Sequence, residues 1–116
     1  MQKFEVVFLE DAREFLLALD EKTRDKIIFN IDKAKIKNDK ELFKKLIDEI
    51  WEFRTLFNKK QIRFFAFWDK AEKEETLVVA THGIIKKTAK TPEKEIEKAE
   101  NIRKIYFEQK NNENER

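Results

Sequence analysis

The chain contains no cysteine, and only one glycine, one proline, one histidine and one tyrosine among its 116 residues. Without cysteine there is neither a disulfide framework nor a thiolate metal site. A single imidazole would leave a zinc ion to carboxylates almost alone, a poor donor set for that metal, so no metal or cofactor is expected. No apolar run is long enough for a transmembrane helix, and the N-terminus lacks the basic-then-apolar plan of a signal peptide. The protein is therefore expected in the cytoplasm, with no membrane partner. The absence of a Gly-rich phosphate loop excludes nucleotide binding of the P-loop kind.

What is present is charge and hydrophobic bulk. Charged residues make up 43% and hydrophobic residues 41%, with eleven phenylalanines. The length suits one domain with a true core, assigned to residues 1–108, with residues 109–116 expected as a disordered tail that has nothing to bury. The net charge of +2 hides an asymmetry. Residues 51–92 hold nine basic against five acidic groups, and four of those five acids fall at 69–75, a predicted turn. A polyanion senses charge locally, within a Debye length of about 8–10 Å.

The hydrophobic periods give an α+β order. Phe4, Val6 and Phe8 alternate, predicting a strand over 3–9. Asp11 is placed to cap a helix whose stripe is Ala12, Phe15, Leu16 and Leu19. The stripe resumes at Ile27, Ile28, Ile31 and Ala34, as a helical hairpin or as one bent helix. A short apolar set, Leu42, Phe43, Leu46 and Ile47, leads into a region of period two. There Trp51, Phe53, Thr55 and Phe57 share a strand face, then Ile62, Phe64, Ala66 and Trp68 share another. The first of these strands is one-sided and suits an edge or open cleft, whereas 76–80 is apolar on both faces and should be central. Thr91 and Pro92 open a last helix with inner stripe Ile96, Ala99, Ile102, Arg103 and Tyr106. The expected fold is a small antiparallel-rich sheet packed by helices, in the order β-α-α-β-β-β-α.

A basic constellation stands out on this frame. If Asn58-Lys59 is a two-residue hairpin turn, Arg54 lies directly opposite Arg63. Like charges so placed repel unless something negative lies over them, and Glu52 can neutralise Arg54 only in part. Residues 53–68 include Arg54, Lys59, Lys60 and Arg63 and no acid. Residues 82–92, HGIIKKTAKTP, hold the only histidine, glycine and proline, with Lys86, Lys87 and Lys90 and no acid. Arginine forks suit phosphate oxygens, lysines add point charge, and an imidazole moves protons near neutrality. Taken singly, His82 is an ordinary buried side chain and the lysine pair an ordinary solvated loop. Together they point to a nucleic-acid backbone.

The segments KKLIDEIWEFRTLF, IRFFAFW and LVVATHGIIKKTAKTPEKEIEKA resemble the HigB branch of the RelE/ParE superfamily of type II toxin–antitoxin toxins. The matching positions are Lys45, Leu46, Trp51, Glu52, Arg54, Arg63, His82, Gly83, Lys86, Lys87, Thr88, Lys90, Thr91 and Pro92, within a likeness covering residues 42–107. Phe53, Glu49 and Ile84 depart from the usual pattern and leave its charges intact. The resemblance implies a ribosome-dependent mRNA endoribonuclease held inactive by a helix-turn-helix antitoxin.

Such cleavage requires a base at the ribose 2′-oxygen, donors on the phosphate oxygens and an acid at the leaving 5′-oxygen. Arg54 and Arg63 suit the donor role. His82, Lys86 or Lys87 could move the protons, while Lys59, Lys60 and Lys90 could hold the RNA backbone. The rival readings are a ParE-like toxin that inhibits gyrase without cutting RNA, and a non-enzymatic basic binding module.

Overall fold

The structure is a computed structural model that describes residues 4–70 and 77–114. Its elements are β1 (Glu5–Phe8), α1 (Glu10–Ala18), α2 (Glu21–Ile36), β2 (Phe43–Ile47), β3 (Ile50–Phe57), β4 (Lys60–Asp69), β5 (Leu77–Lys86) and α3 (Glu93–Asn114). They form a five-stranded, mostly antiparallel sheet in the order β1-β5-β4-β3-β2, with only β1 running parallel to its neighbour. The α+β architecture is the expected one, with one strand more. That strand is β2, and it displaces β3 from the edge of the sheet. Its register shifts between Lys45 and Ile47, which breaks the alternation a strand would otherwise display in sequence.

Short-range chemistry sets the connections. The two helices of the N-terminal half are separate, and Asp20 caps the second by accepting from Thr23 N at 3.2 Å and Thr23 Oγ1 at 2.6 Å. Asp11 does not cap α1: the N-cap is Leu9 and Asp11 stands in the first turn, where the helix dipole favours its charge. Asn58 and Lys59 have φ of 51° and 63°, the left-handed pair that a two-residue I′ hairpin requires. In the β2–β3 turn the positive φ falls on Asp48, so Glu49 does without the freedom of a glycine.

Two layers of helix cover the sheet. Under α1 and α2 lies the main core, where Phe4, Phe53, Phe64, Ile27 and Ile31 are buried and Phe43 stacks on Phe53 with ring centroids 4.2 Å apart. On the opposite face α3 closes a smaller core around Ile50, Phe65 and Ala99. Gly83 sits in β5 opposite Phe64, and a Cβ there would lie 2.5 Å from the Phe15 ring, so its missing side chain lets α1 approach the sheet.

The last helix runs on to Asn114, past Gln109, where the sequence reads as a tail with nothing to bury. What holds it is polar. Buried Asp69 accepts from Tyr106 OH at 2.7 Å and from Lys110 Nζ at 2.6 Å. Burial, followed by the Asp69 contact, pushes the Tyr106 phenol up to about 12. The predicted acidic turn lies outside the described residues from 71 to 76, and Asp69 itself ends β4. Among the described residues no helix is long and apolar enough to cross a membrane.

Candidate nucleic-acid interface

Cross-strand pairing places Arg54 directly opposite Arg63, in the register expected from the two-residue turn. The strand alternation sets both on the α3 side of the sheet, beyond the part that α3 covers. Glu52 shares that face. Its carboxylate is 2% exposed and lies between the two guanidinium groups, 3.5 Å from Arg63 Nε and 3.8 Å from Arg54 Nε. These are charge contacts rather than hydrogen bonds, and Glu52 Oε1 and both Nε atoms are buried without a hydrogen-bond partner. Arg63 is itself held flat on the sheet, donating from Nη1 to Ile62 O at 3.2 Å and from Nη2 to Gln61 Oε1 at 3.0 Å. Burial pulls its pKa below the usual value, Glu52 opposes that shift and Arg54 adds to it, and a guanidinium stays charged throughout.

Lys86 completes the group. It is the last residue of β5 rather than part of a loop, and it pairs with Gln61, one step diagonal to Arg63. Burial first, then repulsion from Arg63, lowers its pKa from the ordinary lysine value. Lys44 also acts on it, from a position opposite Glu52 in β2. Four cations (Arg54, Arg63, Lys86 and Lys44) thus surround one carboxylate, a local excess of three positive charges.

The remaining predicted residues divide. Lys87 and Lys90 are exposed beyond the end of β5, where Lys90 O accepts from Thr88 Oγ1 at 2.8 Å. Lys59 is exposed at the β3–β4 hairpin tip. Lys60 lies toward the α1–α2 side, where its charge acts on Asp20, away from the two arginines. His82 shares the strand face of Arg63 but is only 3% exposed. Its ring stacks on Phe65 at 4.9 Å, Nδ1 lies 2.9 Å from Thr81 Oγ1, and Nε2 lies 3.4 Å from Glu95 Oε1 on α3. Burial, then the Lys98 charge, lowers the His82 pKa against the opposing pull of Glu95. The imidazole therefore faces the helix, not the open basic surface.

Sequence reasoning missed Lys44, Gln61 and Glu95. Lys44 would have followed from reading 43–47 as a strand, since it then aligns with Glu52. Glu95 carries no local signal, because only the docking of α3 brings it to His82. Among the described residues no cluster of three or more acidic or histidine side chains is placed to hold a metal ion. What the arrangement can do is present positive charge to an anion: Arg54 offers a partly exposed fork, Arg63 lies buried beside it, and Lys86 stands diagonal to Arg63.

No curated protein matches this chain. A model of the phage-derived Gp49-like protein family (DUF891) matches residues 14–104, a span that includes every strand from β2 to β5 and the basic face they carry. The chain belongs to this Gp49-like family, a toxin-like module of toxin–antitoxin systems within the RelE/ParE-like superfamily.

Proposed function

We propose that the protein is a HigB-like toxin that arrests translation by cutting ribosome-bound mRNA, and that a cognate helix-turn-helix antitoxin holds it inactive. The observation that carries this reading is the placement of Arg54, Arg63 and Lys86 on one sheet face around a single carboxylate, with Arg54 and Lys86 partly exposed and Arg63 buried beside them. In the proposed reaction the 2′-oxygen gives its proton to a solvent water as it attacks the adjacent phosphorus, and the bond from phosphorus to the 5′-oxygen breaks. The products are a 2′,3′-cyclic phosphate and a 5′-hydroxyl end. Arg54 and Arg63 donate to the phosphate oxygens as charge builds there, and Lys86 gives its proton to the leaving 5′-oxygen. Its lowered pKa makes it a stronger acid than an ordinary lysine. His82 acts at a distance, by seating α3 against β5.

The test is induction in growing cells, followed by mapping of mRNA ends. Wild type is expected to stop growth and leave new ends inside translated messages. Arg54→Ala should lower cleavage by about 10²–10³-fold and leave folding intact, because its side chain is partly exposed. Growth arrest with intact ribosome-bound mRNA and a rising DNA-damage response would replace this reading with gyrase inhibition.

A further inference from the structure

Lys86 carries an amine that nothing else in the fold engages. It ends β5, its side chain is only partly covered, and it makes no hydrogen bond or ion pair among the described residues. Its strand partner is Gln61, whose amide oxygen is already taken by Arg63 Nη2 at 3.0 Å. The loop beyond turns on itself, with Thr88 Oγ1 donating to Lys90 O at 2.8 Å.

The surroundings of this amine are cationic. Arg63 and Arg54 act on it from across the sheet, Lys44 adds charge from β2, and Glu52 opposes them. Burial first, then these positive charges, favours the neutral form of Lys86. A neutral lysine is a nucleophile, whereas its ammonium is not. Arg54 is 31% exposed and Lys44 is partly exposed, so the charge that disfavours the ammonium is also within reach of an anion. A nucleophilic amine thus stands beside a seat for a dianion.

This combination suits a small acyl donor whose negative charge lies close to its carbonyl carbon. In an acyl phosphate a single oxygen separates that carbon from the phosphorus. Cations on the phosphate bring the carbon to the amine, and they also stabilise the phosphate as it leaves. In an acyl thioester of a nucleotide carrier the phosphates lie at the far end of a long arm, and so compact a cluster does not reach both ends.

We propose that Lys86 is an acylation site that takes its acyl group from a small acyl phosphate seated by Arg54 and Lys44. The neutral Nζ attacks the carbonyl carbon, an amide bond forms, and the bond from that carbon to the phosphate oxygen breaks. One amine proton passes to the departing phosphate, so the products are Nε-acyl-lysine and hydrogen phosphate. The site stands on the geometry of the cluster. Its regulatory meaning rests on the function proposed above, because an acylated Lys86 has no proton to give to the leaving 5′-oxygen. Acylation then silences the nuclease when acyl phosphate accumulates.

The test incubates the whole chain with acetyl phosphate and reads acetylation site by site by mass spectrometry. Lys22 on α2 and Lys87 beyond β5, both exposed, serve as internal references. Lys86 should be acetylated roughly tenfold faster than either, from its larger free-amine share and the seated donor together. Inorganic phosphate should suppress that excess by occupying the same cations. The N-hydroxysuccinimide ester of acetic acid is a donor without a phosphate to seat. With it the excess should fall by about threefold or more and become indifferent to inorganic phosphate. Arg54→Gln should slow Lys86 acetylation by acetyl phosphate and leave Lys22 unchanged. The donor and phosphate comparisons use wild type and stand even if that variant fails to fold. Equal labelling of Lys86 and the references would overturn the proposal. So would an excess that is the same with both donors and untouched by phosphate. Cleavage of ribosome-bound mRNA separates the two readings. Selective acetylation of a protein that never cleaves keeps the site and removes the nuclease. Cleavage without selective acetylation does the reverse. Undiminished cleavage by protein acetylated at Lys86 overturns the regulatory meaning.

Discussion

The two faces of the sheet are built from the same strands and differ in almost everything else. Under α1 and α2 the contacts are aromatic and aliphatic, with one group of rings at Phe8, Phe15 and Phe64 and another at Phe4, Phe43, Phe53, Trp51 and Trp68. Under and beside α3 lie all the buried ionisable groups among the described residues: Glu52, Arg63, Asp69 and His82. The first face can be understood from transfer of apolar surface out of water. The second holds charges that cost free energy to bury and are kept in place by one another. A strand with period two makes this division possible, because each residue can serve one face without disturbing the other. Apolar burial is concentrated on one side and buried charge on the other.

Removing Phe64 should produce the largest effect and sharpen that division. Phe64→Ala leaves a cavity beside Phe8 and Phe15 and should cost about 3–5 kcal/mol in urea unfolding. The fraction that remains folded should cleave at the wild-type rate, since the lost ring faces away from Arg54 and Lys86. A comparable activity loss per folded molecule would show that the two faces are not independent.

Removing Arg63 should come next and crosses the division. Arg63→Ala strips the buried Glu52 carboxylate of its nearer cation, and unpairing of this kind costs up to about 3 kcal/mol here, given the loose 3.5 Å contact. Glu52→Gln combined with Arg63→Gln should recover most of that stability in denaturant titrations while cleavage stays lost. If the double variant is no more stable than Arg63→Ala, the cluster is held by packing rather than by its charges. This pair of variants is more informative than Arg63→Ala alone, which confounds folding with function.

The smallest effect is a dependence on pH. The folded state holds the His82 proton less tightly than the unfolded chain, whose histidine has the ordinary value near 6.5. The unfolded state therefore binds more protons as the medium acidifies, and stability falls as pH drops through 6.5 toward the lower folded value. Glu95 and Lys98 from α3 and Asp11 from α1 face the ring, so their charges modulate this slope. His82→Gln should flatten the pH dependence of the unfolding midpoint between about 7 and 5. An unchanged slope would assign that sensitivity to the carboxylates.

Much of this was legible beforehand because it is local. A two-residue turn between period-two segments dictates its own register, so the Arg54–Arg63 pair could be placed from spacing alone. Asp20 and Thr23, by contrast, went unread as a cap although the pattern lies three residues apart. β2 was obscured because Leu42, Phe43, Leu46 and Ile47 recur at helical intervals, and the bulge after Lys45 scrambles the strand alternation that would have exposed Lys44.

The amino-acid sequence by itself determined the α+β class, the β3–β4 register, and the concentration of positive charge between Trp51 and Pro92. Each follows from hydrophobic period, turn length or composition, which act over a few residues. Only the tertiary structure decided that His82 faces Glu95 beneath α3, that Lys60 points toward Asp20, and that Lys110 reaches Asp69 to extend the last helix. The position of Glu52 between two guanidinium groups was decided there as well. Those outcomes depend on which strand neighbours which and where a helix lands, and burial and pairing across distant segments leave no periodic trace in the chain.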